Sequence, residues 1–198
     1  MPASPHGPAD LALHPARTAL VVVDIQEKLV PAMQDGAEIC IANTARLIEG
    51  LAALHVRVLV SEQYPKGLGR TVPVLAQRLA ACRPDAAVVE KTEFSAVANP
   101  EIRAVLAGWL GDGVRSVLVC GMEAHICVYQ TVRGLADMGF VVHVVTDACA
   151  SRTAGNHAVA VGLWQACGAV VTSTEAALFD LLGRAGGDAF KLISRLIR

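Results

Sequence analysis

Three side chains in this sequence have types and placements that together could do chemistry: Asp24, Lys91 and Cys127. They are a carboxylate, an ammonium and a thiol, and each follows a short β-branched run. A thiol near its ordinary pKa of about 8.5 is mostly protonated at neutral pH. The partial positive charge of a helix N-terminus, a nearby ammonium and a neighbouring base can each move it toward thiolate. In such a site Asp24 accepts the Cys127 proton, while Lys91 holds Asp24 ionised and offsets the like charges of carboxylate and thiolate. The thiolate then attacks a carbonyl, and the backbone N–H groups of Glu123 and Cys127 face the developing oxyanion. Each residue alone has a plainer reading as a turn cap, a solvated charge or a packing thiol. Their arrival at one rim is what points to a nucleophile with its base.

That common rim follows from the elements around them. Thr18-Ala19-Leu20-Val21-Val22-Val23 reads as a strand apolar on both faces, ending in Asp24. Runs at 57–61, 87–90, 116–120, 141–145 and 169–172 repeat the pattern, which belongs to a parallel sheet covered on both sides. Helical periodicity falls between them. Residues 37–54 put Ile41, Ala45, Ile48, Leu51 and Leu54 on one stripe, and 128–138 do the same with Val128, Val132, Leu135 and Met138 before Gly139. Further helices are expected over 157–167 and 174–182. Six alternating units predict an α/β fold: a three-layer α/β/α, Rossmann-like architecture on a mostly parallel six-stranded sheet with right-handed crossovers. In such a sheet ligands bind outside the carboxyl ends of the strands, where Asp24, Lys91 and Cys127 all fall. Residues 1–16 read as a loose N-terminal arm and 17–198 as one domain. It closes in an amphipathic helix over 188–198 carrying Phe190, Ile193 and Ile197.

Composition narrows the partners. Of the 198 residues 54% are hydrophobic and 18% charged, against about 25% charged in typical globular chains. The formal net charge is -1 and aromatic residues make up 4%. The chain therefore has neither the field nor the stacking platforms of a nucleic-acid binder. Residues 153–174 lack Asp, Glu, Lys and Arg, but Asn156, His157, Gln165 and Gly168 interrupt them. The stretch reads as a buried helix and a strand, not a membrane span. The six cysteines (40, 82, 120, 127, 149 and 167) include no Cys-x-x-Cys pair, and residues 1–16 have no apolar h-region. The expectation is a reduced, cytoplasmic protein.

Four blocks in order resemble the isochorismatase-like cysteine hydrolases, which include nicotinamidases and N-carbamoylsarcosine amidase. They are Leu20-Val21-Val22-Val23-Asp24-Ile25-Gln26, Val89-Glu90-Lys91-Thr92-Glu93-Phe94-Ser95, residues 119–131 around Gly121-Met122-Glu123-Ala124-His125-Ile126-Cys127, and Val144-Val145-Thr146-Asp147-Ala148-Cys149-Ala150-Ser151-Arg152. The resemblance covers residues 17 to about 198. Ser61-Glu62-Gln63-Tyr64-Pro65-Lys66-Gly67-Leu68-Gly69 and the ending Phe190–Ile197 are similar to the isochorismatase-domain-containing subgroup. It implies a catalytic triad of Asp24, Lys91 and Cys127, a non-proline cis peptide between Met122 and Glu123, and self-association from dimers upward. The nicotinamidase branch holds a metal with an Asp and closely spaced histidines after strand two. Here that loop has no His, and His55, His143 and His157 lie elsewhere, so neither metal nor cofactor is expected.

The sequence therefore reads as a metal-independent cysteine hydrolase of a small amide or carbamoyl-type compound, working through a Cys127 thioester. The alternatives are a vinyl-ether-cleaving isochorismatase, which does not need the cysteine, and a non-catalytic oligomeric binding or scaffold protein. A third reading makes Cys127 a redox sensor with Cys149 near it in space. Gln26, Tyr64 and Phe94 are candidate pocket residues, with loop support the first role for Gln26. His125 is a weaker candidate base than Asp24, and Arg152 suits a substrate carboxylate, a partner subunit or a plain ion pair.

Overall fold

The computed structural model describes residues 7–33 and 36–198. Six strands form one sheet: β1 Thr18–Val23, β2 Arg57–Gln63, β3 Ala87–Lys91, β4 Ser116–Met122, β5 Val141–Ala150 and β6 Val170–Thr172. Their order is β3-β2-β1-β4-β5-β6 and every pairing is parallel. All of β1 and β4 is buried, as expected of central strands covered on both faces. The chain winds outward from β1 through β2 to β3, then returns to place β4 on the other side of β1. This reversal puts the switch point of the sheet between β1 and β4, at whose carboxyl ends ligands usually bind in such sheets.

The helices are α1 Ala37–Ala53, the short α2 Pro65–Leu68, α3 Pro73–Cys82, α4 Pro100–Gly111, α5 Tyr129–Asp137, α6 Ala154–Ala166, α7 Thr174–Leu182 and α8 Gly187–Ile197. Helix α1 packs with α3, α7 and α8, while α5 packs with α6. Helix starts are fixed by caps at three places: Asn99 accepts from Glu101 N and Ile102 N, Thr153 from Asn156 N, and Ser173 from Ala176 N.

Several sequence readings shift in register. The fully buried stripe of α1 is Cys40, Asn43, Thr44, Leu47, Ile48 and Leu51, whereas Ile41, Ala45 and Leu54 are half-buried. Polar Asn43 and Thr44 tolerate burial because they find partners: Asn43 Nδ2 donates to Asp147 O at 2.8 Å and Thr44 Oγ1 to Cys120 Sγ at 3.7 Å. The uncharged stretch after Thr153 does become a helix and a strand. Yet α6 fully buries only Ala160 and Trp164, and Val159 is 60% exposed. Among the described residues no helix is long and apolar enough to cross a membrane.

Leu13 and helix α8 both dock on the domain. Residues 7–16 do not hang loose: Leu13 enters the core and its N–H donates to Asp180 Oδ2 at 2.9 Å. Helix α8 packs on α1 and α7 of its own chain, with Ile193 fully buried, Arg46 Nε donating to Leu196 O at 2.9 Å, and Phe190 edge-on to Phe179.

Candidate active site

Asp24 follows β1 in a left-handed conformation, φ 53°. Its N–H still donates to Ser61 O at 3.1 Å, continuing the pairing with β2 for one residue. The carboxylate is fully buried, with Ser61 Oγ donating to Oδ1 and Lys91 Nζ to Oδ2, each at 2.6 Å. Lys91 ends β3 and its side chain is also fully buried. Its ammonium further donates to Gln63 Oε1 at 2.7 Å, Glu93 O at 3.1 Å and Phe94 O at 3.3 Å. Four acceptors for three N–H groups account for how a cation is tolerated there.

Cys127 arrives from the other side of β1. Strand β4 can approach β1 closely because residue 121 is glycine at φ +129°; a Cβ there would lie 2.0 Å from Val23 O. The Met122–Glu123 peptide is cis. A π-helical turn over Ala124–Val128 follows, with Glu123 O accepting from Ile126 N and Val128 N. Such turns recur at functional sites. Cys127 is 6% exposed, and its thiol feels the Asp24 carboxylate, the Lys91 ammonium and the backbone of Glu123.

The electrostatic balance differs from the sequence expectation of a thiol moved toward thiolate. Burial, and then the Asp24 charge, push the Cys127 thiol up to about 12, with Lys91 and the Glu123 N–H pulling the other way. Burial also raises the Asp24 carboxyl above its usual range against the pull of Lys91 and Ser61. Burial thus favours the neutral thiol, beside a carboxylate paired with Lys91. Taking a buried thiol's charged form out of water outweighs the cation at this distance.

The remaining candidates separate. Gln26 is buried with Nε2 donating to Gln63 O and Gly69 O and Oε1 accepting from Gln63 N, which makes it a loop support. Tyr64 and Phe94 are about half exposed, 54% and 56%. Their backbones meet Lys91, since Tyr64 N donates to Lys91 O and Phe94 O accepts from Nζ. His125 Nδ1 is partnered by Ser151 Oγ at 3.0 Å. Arg152 grips Glu123 through Nε at 3.0 Å, Nη2 at 2.6 Å and its own N–H at 3.2 Å, holding the Glu123 carboxyl below its ordinary range. Cys149 is electrostatically coupled to Cys120 and Cys40, and burial raises all three thiols.

A model of the isochorismatase domain matches residues 18–176. The chain belongs to the isochorismatase family. Isochorismatase domain-containing protein 1 of Salmo salar is 39% identical over 186 residues, covering 94% of this chain, which spans 62% of that relative's length. The human isochorismatase domain-containing protein 2 is 37% identical over 184 residues, covering 93% of this chain and 84% of its own. Among solved structures, MAR1 ribonuclease of Caenorhabditis elegans superposes with a TM-score of 0.85 at 34% identity, covering 94% of this chain and 92% of its own.

In this isochorismatase-family chain the residues that sequence reasoning missed are Ser61 and Gln63, both at the end of β2. The signal was present: a strand of Val58, Leu59 and Val60 turns polar where it draws level with Asp24. The metal expected in the nicotinamidase branch does not fit here. Glu62, the carboxylate at that strand end, already accepts from Thr71 N, Thr71 Oγ1 and Arg70 Nη1. Among the described residues no three His, Cys, Asp or Glu side chains are grouped to hold an ion.

Proposed function

We propose that the protein is a metal-independent cysteine hydrolase of a small amide or carbamoyl-type compound, with Asp24, Lys91 and Cys127 as its catalytic residues. The observation that carries this reading is the buried carboxylate: Asp24 is ion-paired to the Lys91 ammonium at 2.6 Å and its charge acts on the Cys127 thiol. A neutral thiol beside a buried base is arranged for proton transfer coupled to attack, without a standing thiolate. Asp24 takes the thiol proton as sulfur adds to the carbonyl carbon. The carbonyl electron pair moves to oxygen, where the N–H groups of Glu123 and Cys127 receive it. When the C–N bond breaks, Asp24 returns the proton to the departing amine and a Cys127 thioester remains. Water, losing a proton to Asp24, cleaves the thioester, releasing the acid and restoring the thiol.

Tyr64 and Phe94 meet Lys91 through their backbones, and their exposed side chains suit contact with a substrate or a second subunit. Homo-oligomers fit the uncharged, half-exposed α6, which sedimentation will test. Free thiols at all six cysteines suit a reducing, cytoplasmic setting. A 6% exposed nucleophile favours a small molecule over a polymer backbone. The test is a screen of small amides, ureas and carbamoyl compounds, with RNA and a vinyl ether as further arms, on wild type and Cys127→Ala. Turnover of an amide lost in Cys127→Ala is expected, and turnover retained in that variant refutes the thioester. Cleavage confined to RNA or the vinyl ether refutes the substrate class.

A further inference from the structure

Gln63 closes β2 and is bonded through both its main chain and its side chain. Its N–H donates to Gln26 Oε1 at 2.7 Å and its carbonyl accepts from Gln26 Nε2 at 3.0 Å. Its own carboxamide is directed elsewhere: Oε1 accepts from Lys91 Nζ at 2.7 Å and Nε2 donates to Thr92 O at 2.8 Å. We infer that Gln63 is a positioning residue of the hydrolase site, acting through Lys91 by holding the ammonium so that one N–H stays aimed at Asp24. This rests on the hydrolase reading above.

Lys91 makes two short bonds, to Asp24 Oδ2 at 2.6 Å and to Gln63 Oε1 at 2.7 Å, with the Glu93 and Phe94 carbonyls farther off. Gln63 thus sets the direction of the cation as strongly as its charge partner does. The position calls for a neutral acceptor. A carboxylate there would compete with Asp24 for the ammonium and add a second negative charge beside the one that Cys127 develops. An apolar side chain would leave a buried N–H short of its best neutral partner. The carboxamide also fixes its own orientation. Thr92 O accepts only from the NH2 end, which turns the oxygen to Lys91; a flipped amide would set NH2 against NH3+. Because Gln26 grips the main chain of residue 63, these two bonds survive a side-chain substitution. The charged and titratable groups around the ammonium are Asp24 after β1, Cys127 in the turn after β4 and, beyond β3, Glu93, whose carboxylate accepts from Thr92 N at 3.1 Å.

The test needs no substrate. Iodoacetamide alkylates sulfur as iodide leaves and the thiol proton passes to Asp24, so the rate at Cys127 against pH reads the same proton acceptor. Wild type, Gln63→Glu and Gln63→Leu are labelled between about pH 5 and 9. The Cys127 peptide is followed by mass spectrometry, with Cys127→Ala as the blank and a thermal melt of each protein. Wild-type Cys127 is expected to react faster than half-buried Cys82. Gln63→Glu, matched in shape, is expected to move the acid limb up by about one pH unit, because it shares the Lys91 charge and Asp24 holds its proton more tightly. Gln63→Leu is expected to slow labelling near neutral pH by about tenfold. Wild-type pH profiles in both variants overturn the inference while a reactive wild-type Cys127 leaves the hydrolase reading standing. So does a loss of rate that follows melting temperature with the acid limb unmoved. An inert Cys127 in the wild type removes both readings.

Discussion

Replacing Lys91 with Met tests the ion pair at the heart of the site, because both partners are fully buried. Methionine fills a similar volume but leaves Asp24 with the Ser61 hydroxyl as its remaining side-chain donor. Removing one member of a buried pair costs about 3–5 kcal/mol, chiefly the penalty of the stranded charge. That penalty depends on pH with a definite sign. Burial already raises the Asp24 carboxyl above its unfolded value, and without Lys91 it rises further. The native variant then holds a proton that the unfolded chain has released, so its stability falls as pH rises from the unfolded carboxylate range through the folded pKa. The slope approaches about 1.4 kcal/mol per pH unit. Urea unfolding of Lys91→Met and wild type at about pH 5 and 7.5 should therefore show a deficit of about 3–5 kcal/mol at the higher pH that shrinks by more than about 1 kcal/mol at the lower one. The double variant Asp24→Asn, Lys91→Met carries no stranded charge and should recover to within about 1–2 kcal/mol of wild type. A deficit under about 1 kcal/mol at neutral pH, or one equal at both pH values, refutes the stranded-charge reasoning.

Ser61→Ala removes the 2.6 Å donor to Asp24 Oδ1 and should cost about 1.5–3 kcal/mol, the range for a hydrogen bond to a charged group, in urea melts at neutral pH. The same variant should raise the acid limb of Cys127 labelling, since a donor that favours the carboxylate is gone. Gly121→Ala places a Cβ within 2.0 Å of Val23 O at φ +129°. Its loss should far exceed the roughly 1 kcal/mol scale of glycine-to-alanine changes at compatible positions, measured as a collapse of the melting transition or of soluble yield.

The sheet was legible because its strands are short, β-branched and apolar on both faces, a pattern shared with few other structures. The strand ends then put Asp24, Lys91 and Cys127 on one rim. Less visible was anything decided by packing. On α1 the sequence favours Ile41 and Leu54 for the core, but the helix turns Asn43 and Thr44 inward because Asp147 O and Cys120 are there to meet them. The uncharged α6 reads as buried, yet Val159 faces outward while Ala160 beside it is buried, since charge content does not reveal which face has a partner. Ser61 and Gln63 were missed because hydroxyl and amide side chains at a strand end ordinarily begin a turn. Only the register of β1, β2 and β3 reveals that they aim at Asp24 and Lys91. The pull on the thiol was legible only in part: the positive groups are visible in sequence, whereas the burial that works against them is not.

The site is shared among neighbouring strands, and this gives the protein an internal clock for its own folding. Asp24 lies beyond β1, Ser61 and Gln63 on β2, Lys91 on β3 and Cys127 past β4. The chain must run from residue 18 through 127 before the four strands stand side by side in the order β3-β2-β1-β4. Contacts that far apart in sequence close late and together. Cys127 gains its proton acceptor only then, while Cys40 and Cys120, both fully buried, lose access to reagent as the core closes. Pulse labelling during refolding would thus follow several thiols of one chain as they leave solvent. The change at Cys127 would date the assembly of this half of the sheet, and the fall at Cys40 and Cys120 would date the exclusion of water.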